Sequence, residues 1–216
     1  MVKQERALRT REALIKSAAV IFDRDGFSVA SLTTISSRAG VSNGALHFHF
    51  ANKAALAGAV EDAAAHRLGQ ITLRDHGEAD NALQCLVDAT HDLARGLNDD
   101  VVLRTGFELS GDHVYVARRN LRHQWRQWVE ETLQRADAEG HLHETVAPQD
   151  AVITLVAATM GLQSLGARDP VWLSCRTLTR LWQLLLPRLA SAPTLGRLTP
   201  EGRGTRTARP PDTPGP

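Results

Sequence analysis

The chain has 216 residues, enough for one or two domains with a real core, and its 43% hydrophobic and 23% charged content is ordinary for a soluble globular protein. The net charge of +1 hides a split: residues 1–53 carry eight Lys/Arg against four acids, whereas residues 54–191 carry 13 Arg, no lysine and 18 acids. A basic head on an acidic body excludes a uniformly polyanion-binding protein and points the head alone at a polyanion.

Strand patterns are weak along the whole chain and helical periodicity is strong, so an all-α fold of about nine helices is predicted. A first helix runs from about Glu5 to Asp25, with Leu14, Ile15, Ala18, Ile21 and Phe22 in one stripe and Gly26 at its C-terminal cap. Ser31 caps a short second helix, 32–38; "AGVS" (39–42) makes a tight turn; and a third helix covers 43–49. Asn52 caps a fourth from Lys53 to about 73, broken by "HGEAD" (76–80). Further helices are predicted over 81–96, 99–109 and 117–138. Pro148 opens one to about 165, and Pro170 opens a last one to Leu185 or beyond. The most apolar run, 151–167, is too short and too interrupted by Thr154, Thr159, Gln163 and Ser164 to span a bilayer, and "MVKQERALRTREAL" is charged where a signal peptide is apolar. From 192 on, six of the nine prolines crowd into 25 residues, and a disordered tail, 192–216, is expected. The predicted organisation is a helix-turn-helix head (1–51), a larger helical body (52–191) and that tail.

Two short helices joined by "RAGVS" fit a helix-turn-helix, with Gly40 supplying the turn and Ser42 capping the second helix. Ala45, Leu46, Phe48 and Phe50 are assigned inward, leaving Asn43, Gly44, His47 and His49 outside. Gly44 is informative, because glycine disfavours a helix by about 1 kcal/mol and close approach to another surface is a reason to accept it. Free N–H groups at helix N-termini suit phosphate, and Lys53 beside Asn52 makes a second such place. A short capped helix is equally common as plain structure. Metal binding by His47 and His49 is rejected, since positions i and i+2 of a helix point about 200° apart.

The body offers no catalytic constellation: HExxH spacing, a Gly-rich phosphate loop and GxSxG are all lacking, and the nine histidines read as surface or cap residues. No enzyme activity, cofactor or metal is expected. Cys85 and Cys175 lack metal spacing and read as buried thiols of a reducing, cytoplasmic compartment. Residues Val152, Leu155, Val156, Leu178, Leu181, Trp182 and Leu185 leave the last two helices apolar around much of their circumference, as a monomer core or a dimer interface would require. Trp125 and Trp128, three apart on one face, read as core or as a ligand box; Phe107 and Gln163 are weaker candidates, an apolar wall and a hydrogen-bonding group.

The stretch "TREALIKSAAVIFDRDGFSVASLTTISSRAGVSNGALHFHFANKAAL" closely resembles the N-terminal domain of the TetR family of bacterial repressors, over about 50 residues. More narrowly it is similar to the streptomycete γ-butyrolactone receptor group, in its "KQ-R-x-x-x-TR" opening and "GAL-FHF" run. The resemblance implies an all-helical homodimer on palindromic operator DNA, with the third helix in the major groove and a small-molecule pocket in the body. It implies that Thr33 and Thr34 lie by the DNA backbone, that Ser42, Asn43, Gly44 and Ala45 face the groove, and that His47, His49 and Lys53 meet phosphates. Asn43 stands where the family commonly has lysine and could read adenine; His47 stands where it has tyrosine. A pocket tryptophan fifteen residues before a helix-ending glycine matches Trp125 and Gly140. The implied function is a ligand-responsive repressor, released by a γ-butyrolactone-like signal or an antibiotic and controlling antibiotic production. A pI near 8.0 leans toward the pseudo-receptors of that group. The alternative is a DNA-binding regulator without a functional sensor.

Overall fold

Three polar residues punctuate the first quarter of the chain as the sequence predicts. The Ser31 hydroxyl accepts from the Thr34 N–H at 3.1 Å, Ser42 from Ala45 at 3.1 Å, and Asn52 from Ala55 at 2.8 Å. Each satisfies a donor that a helix start leaves without an internal partner. In the computed structural model, which describes residues 2–73, 81–112 and 114–204, these caps open three of ten helices.

The helices are α1 (Val2–Val29, broken at Gly26), α2 (Leu32–Arg38), α3 (Asn43–His49), α4 (Lys53–Thr72), α5 (Ala82–Asp99), α6 (Val101–Leu109), α7 (Leu121–Ala138), α8 (Pro148–Gly166), α9 (Cys175–Leu189) and α10 (Ala192–Leu195). Among the described residues the one extended pairing is an isolated bridge between Leu142 and Ala190. The fold is all-α.

Two boundaries depart from the sequence reading. The helix predicted from 117 begins at Leu121, where the Asn120 carboxamide caps it through the His123 N–H. The helix predicted from Pro170 splits: a 3-10 turn, Pro170–Leu173, ends at Ser174, whose hydroxyl then caps α9 through the Thr177 N–H. The "HGEAD" break lies outside the described residues.

The expected disorder from 192 is corrected over 192–204, which form α10 and a strap lying on α5. Leu195 and Leu198 pack half-buried against the core, and polar side chains of α5 add hydrogen bonds to the backbone of the strap; residues 205–216 lie outside the described part.

In the head, Leu14, Ile21 and Phe22 of α1 enclose Ile35, Leu46 and Phe50. In the body α5 is the central helix, buried against α7 and α9. Between the two, α6 crosses α1 and α4. Arg104 donates to both carboxylate oxygens of Asp23, at 2.8 and 3.2 Å, and the Thr105 hydroxyl donates to the Ala19 carbonyl at 3.0 Å. At Gly106 the helices approach so closely that an added Cβ would lie 2.3 Å from the Ala64 Cβ.

Candidate nucleic-acid interface and effector cavity

The outer face of α3 carries Ser42, Asn43, Gly44, His47 and Phe48, all exposed, while Ala45 and His49 are half-buried and Leu46 and Phe50 are buried. Phe48 corrects the sequence reading, which assigned it to the core: it is 81% exposed. Leu46 and Phe50 lie four apart on the inward side, and a residue midway between them points about 200° from either. The same angle that rejected the histidine metal site could have placed Phe48 outside. Its ring packs edge-on against His49, with centroids 5.2 Å apart.

Asn43 ties α3 to α2. Its Oδ1 accepts from the Ser36 hydroxyl at 2.9 Å, and its Nδ2 donates to the Thr33 hydroxyl at 3.4 Å. Thr34 is exposed, its hydroxyl 3.0 Å from that of Ser31. Gly44 has an open surround: an added Cβ would meet only the Ser42 Oγ, at an ordinary 3.8 Å. Nothing inside the protein requires glycine there.

Lys53, expected to meet phosphate, is engaged within the chain. Its Nζ donates to the carbonyls of Ser28 and Ala30, both at 2.9 Å, and lies 4.8 Å from the Phe27 ring centroid. These contacts fasten the start of α4 to the link between α1 and α2. Lys53→Met keeps the stem and removes the ammonium, so urea unfolding should show stability lower by about 1.5–3 kcal/mol. A variant as stable as the parent would show that the tether holds nothing.

Phe27 in turn packs against Tyr115, the rings tilted by 46° with centroids 4.7 Å apart. The Tyr115 hydroxyl and the Arg118 N–H both donate to Oε2 of the buried Glu61, at 2.9 and 3.1 Å, while Oε1 has no partner. Burial raises the pKa of Glu61 above the usual carboxylate range, and burial followed by the Glu61 bond raises that of Tyr115. Residues 114–120 are thereby fastened to the middle of α4.

Trp125 is fully buried and donates its indole N–H to the Thr159 hydroxyl at 2.9 Å; Thr159 donates onward to the Leu155 carbonyl at 2.8 Å. Trp128 stacks on it, with centroids 5.2 Å apart. Phe107 is fully buried as well. Gln163 is buried and accepts from the Arg122 guanidinium at 3.2 Å, and the Arg122 Nε is buried without a partner. Near Arg122, burial and the Asp23 charge push Glu108 up to about 7. Thr159, which the sequence reading treated only as an interruption of an apolar run, borders a cavity of about 10 Å³ with Thr90, Leu93, Leu97, Leu162 and Leu178, room for about one water. The structure thus brings Trp125, Trp128 and Thr159 together and sets Gln163 with Arg122. A wider cleft of about 220 Å³ lies between α5 and the start of α9, lined by His91, Arg95, Asn98, Ser174 and Cys175.

The predicted dimer face is corrected in part. Leu155, Leu178 and Trp182 are buried within the protomer, the last donating its indole N–H to the Thr90 hydroxyl at 2.7 Å. Val152, Val156, Leu181 and Leu185 are half-buried, and the outward apolar residues of α8 and α9 include Ile153, 67% exposed, and Leu184, 75% exposed, with Leu165 less so. On α8, with apolar residues on more than one face, the sequence leaves the inward side undetermined; on α9 the exposed Arg176, Arg180 and Gln183 oppose the buried Leu178 and Trp182.

Two smaller expectations also change: Cys175 is exposed and His91 is buried, whereas Cys85 is buried as expected. Among the described residues there is no group of three or more His, Cys, Asp or Glu that could hold a metal, and no helix long and apolar enough to cross a membrane.

Residues 14–60 match the family described as "Bacterial regulatory proteins, tetR family", and residues 80–191 match "Tetracyclin repressor-like, C-terminal domain". The chain is 30% identical to the A-factor receptor protein of Streptomyces griseus over 207 residues, 94% of this chain and 72% of that one. A crystal structure of a γ-butyrolactone receptor (ArpA-like protein) aligns with TM-score 0.79 at 28% identity, covering 92% of this chain and 97% of the other. The TetR family protein CprB from Streptomyces coelicolor, solved with its operator sequence, aligns with TM-score 0.74 at 28% identity, covering 89% and 94%. A capped helix-turn-helix joined through α4 and α6 to an all-helical body, together with these matches over most of its length, makes this chain a member of the TetR family of bacterial regulatory proteins.

Proposed function

We propose that the chain is a homodimeric transcriptional repressor that binds a palindromic operator through α3 and releases it when a small effector enters the body. The observation that carries this reading is Gly44: a helix-disfavouring residue, exposed, with no neighbour in the protein that excludes a side chain. Close approach of a DNA groove supplies the missing reason, with Ser42, Gly44 and Phe48 toward the bases and Thr33, Thr34, His47 and His49 toward the backbone. Phe48 offers an apolar surface for a thymine methyl. Asn43 acts first as the brace of α3 on α2, and reading adenine requires it to leave Ser36 and Thr33. Lys53 keeps one of its three N–H groups for a phosphate after its two internal bonds.

The exposed Ile153 and Leu184, flanked by Val152, Val156, Leu181 and Leu185, support a two-fold four-helix contact between protomers, which matches palindromic half-sites. The effector site is assigned to the Trp125–Thr159 neighbourhood, and the names of the relatives support a γ-butyrolactone-type ligand. A sensorless regulator is the second reading. It is favoured by the satisfied Trp125 N–H and the cavity of about 10 Å³ beside Thr159.

Gly44→Ala tests the DNA face. The variant should be as stable as the parent, or more stable by up to about 1 kcal/mol, yet bind operator at least about tenfold more weakly; unchanged affinity would mean that no groove approaches this residue. The whole reading is tested by gel shift on the region upstream of the chain's own gene, with butyrolactone extracts and with antibiotics added. Specific binding released by one of them supports the repressor with a sensor, and binding that nothing releases supports the sensorless regulator. No specific binding refutes both.

A further inference from the structure

Residues 196–204 lie beyond the matched family segment, which ends at 191, yet they are bonded to α5 side chain by side chain. The Thr199 N–H donates to Oε1 of Gln84 at 2.8 Å, and Nε2 of Gln84 returns a bond to the Thr199 carbonyl at 3.2 Å. His91 Nε2 lies 2.9 Å from the Pro200 carbonyl. Arg203 donates its backbone N–H and its guanidinium to the two carboxylate oxygens of Asp88, at 2.8 and 3.0 Å. Gly202 adopts φ +69°, a conformation that strains any other residue, and an added Cβ would press on the His91 ring at 3.0 Å.

Gln84, Asp88 and His91 fall at i, i+4 and i+7, one stripe of α5. Thr90, Leu93 and Leu97, on the opposite side of the same helix, line the cavity beside Thr159. A ligand larger than a water can enter that cavity only if a wall moves, and the strap grips one wall from behind. We propose that residues 196–204 are a latch that restrains α5 and so limits opening of the cavity beside Thr159. The consequence for effector affinity rests on the assignment of the effector site above; the restraint itself does not.

The test is hydrogen exchange on the full-length protein, on Gly202→Ala, on Arg203→Ala and on a chain ending at Leu195. Exchange in residues 82–97 should become about tenfold faster in the altered chains, while residues 14–60 stay within about twofold. Unchanged exchange in α5, or equal acceleration throughout the chain, would overturn the latch. If the shortened chain fails to fold, the two point variants decide. Titrating a synthetic 2-acyl-γ-butyrolactone against the same proteins then separates the two ideas. Tighter binding by the altered chains, about tenfold, supports coupling of latch to effector site, and binding equal to the parent's overturns it. Faster α5 exchange with no binding by any chain supports the latch and counts against that effector.

Discussion

Trp125→Ala should lower the unfolding free energy by about 3–5 kcal/mol, the range for truncating a fully buried aromatic side chain. The indole is enclosed on all sides, stacked on Trp128 and hydrogen-bonded to Thr159, so removal empties a large volume that rigid helices on both sides cannot collapse into. At about 2–4 °C per kcal/mol for a chain of this size, the melting temperature should fall by on the order of 10 °C. Trp125→Phe keeps most of the ring and loses the bond to Thr159, whose hydroxyl still donates to the Leu155 carbonyl; it should lose much less, about 1–2 kcal/mol. A Trp125→Ala protein that melts like the parent but no longer responds to ligand would mean that the ring lines an open pocket in solution.

The second large effect is expected at the crossing of α6 and α4. Gly106→Ala puts a methyl 2.3 Å from the Ala64 Cβ and 3.1 Å from Leu121 Cδ2. The Ala64 methyl is fixed to the helix backbone and cannot swing away, so the helices must separate, which costs about 1–3 kcal/mol or more. Urea unfolding should show a lower midpoint with an unchanged slope. The decisive variant is the pair: Ala64→Gly removes the colliding methyl, so the double substitution should lose clearly less than the sum of the single ones. Simple additivity would place the strain elsewhere.

What the sequence made legible depended on how far along the chain each determinant acts. The head was readable because Ser31, Ser42 and Asn52 each cap within three residues, and the bounds of α2 and α3 follow directly. Ser174 was missed although it caps just as locally, because Pro170 supplied a competing start four residues earlier. Lys53 looked free because its carbonyl partners lie 23 and 25 residues away. The ordering of 192–204 depends on Gln84 and Asp88, 115 residues distant, against a local composition that reads as unstructured. Leu155 and Trp182 are apolar as read but buried within the protomer; period alone cannot orient α8, which is apolar on more than one face, whereas on α9 the exposed Arg176, Arg180 and Gln183 mark the outer side.

Tight packing at Gly106 also has a mechanical meaning. With no room for a side chain, the crossing can act as a fulcrum for α4 rather than as a sliding contact. Ala64 lies eleven residues from Lys53, about 17 Å along the axis. A tilt of about 10° there carries the start of α4, and the turn it grips at Ser28 and Ala30, through about 3 Å. In a symmetric pair the two displacements add to about 6 Å, close to two base-pair steps of DNA. Neither helix would have to bend or melt: if the chain works as the operator-binding dimer proposed above, leverage alone would take its two α3 helices out of register with their half-sites.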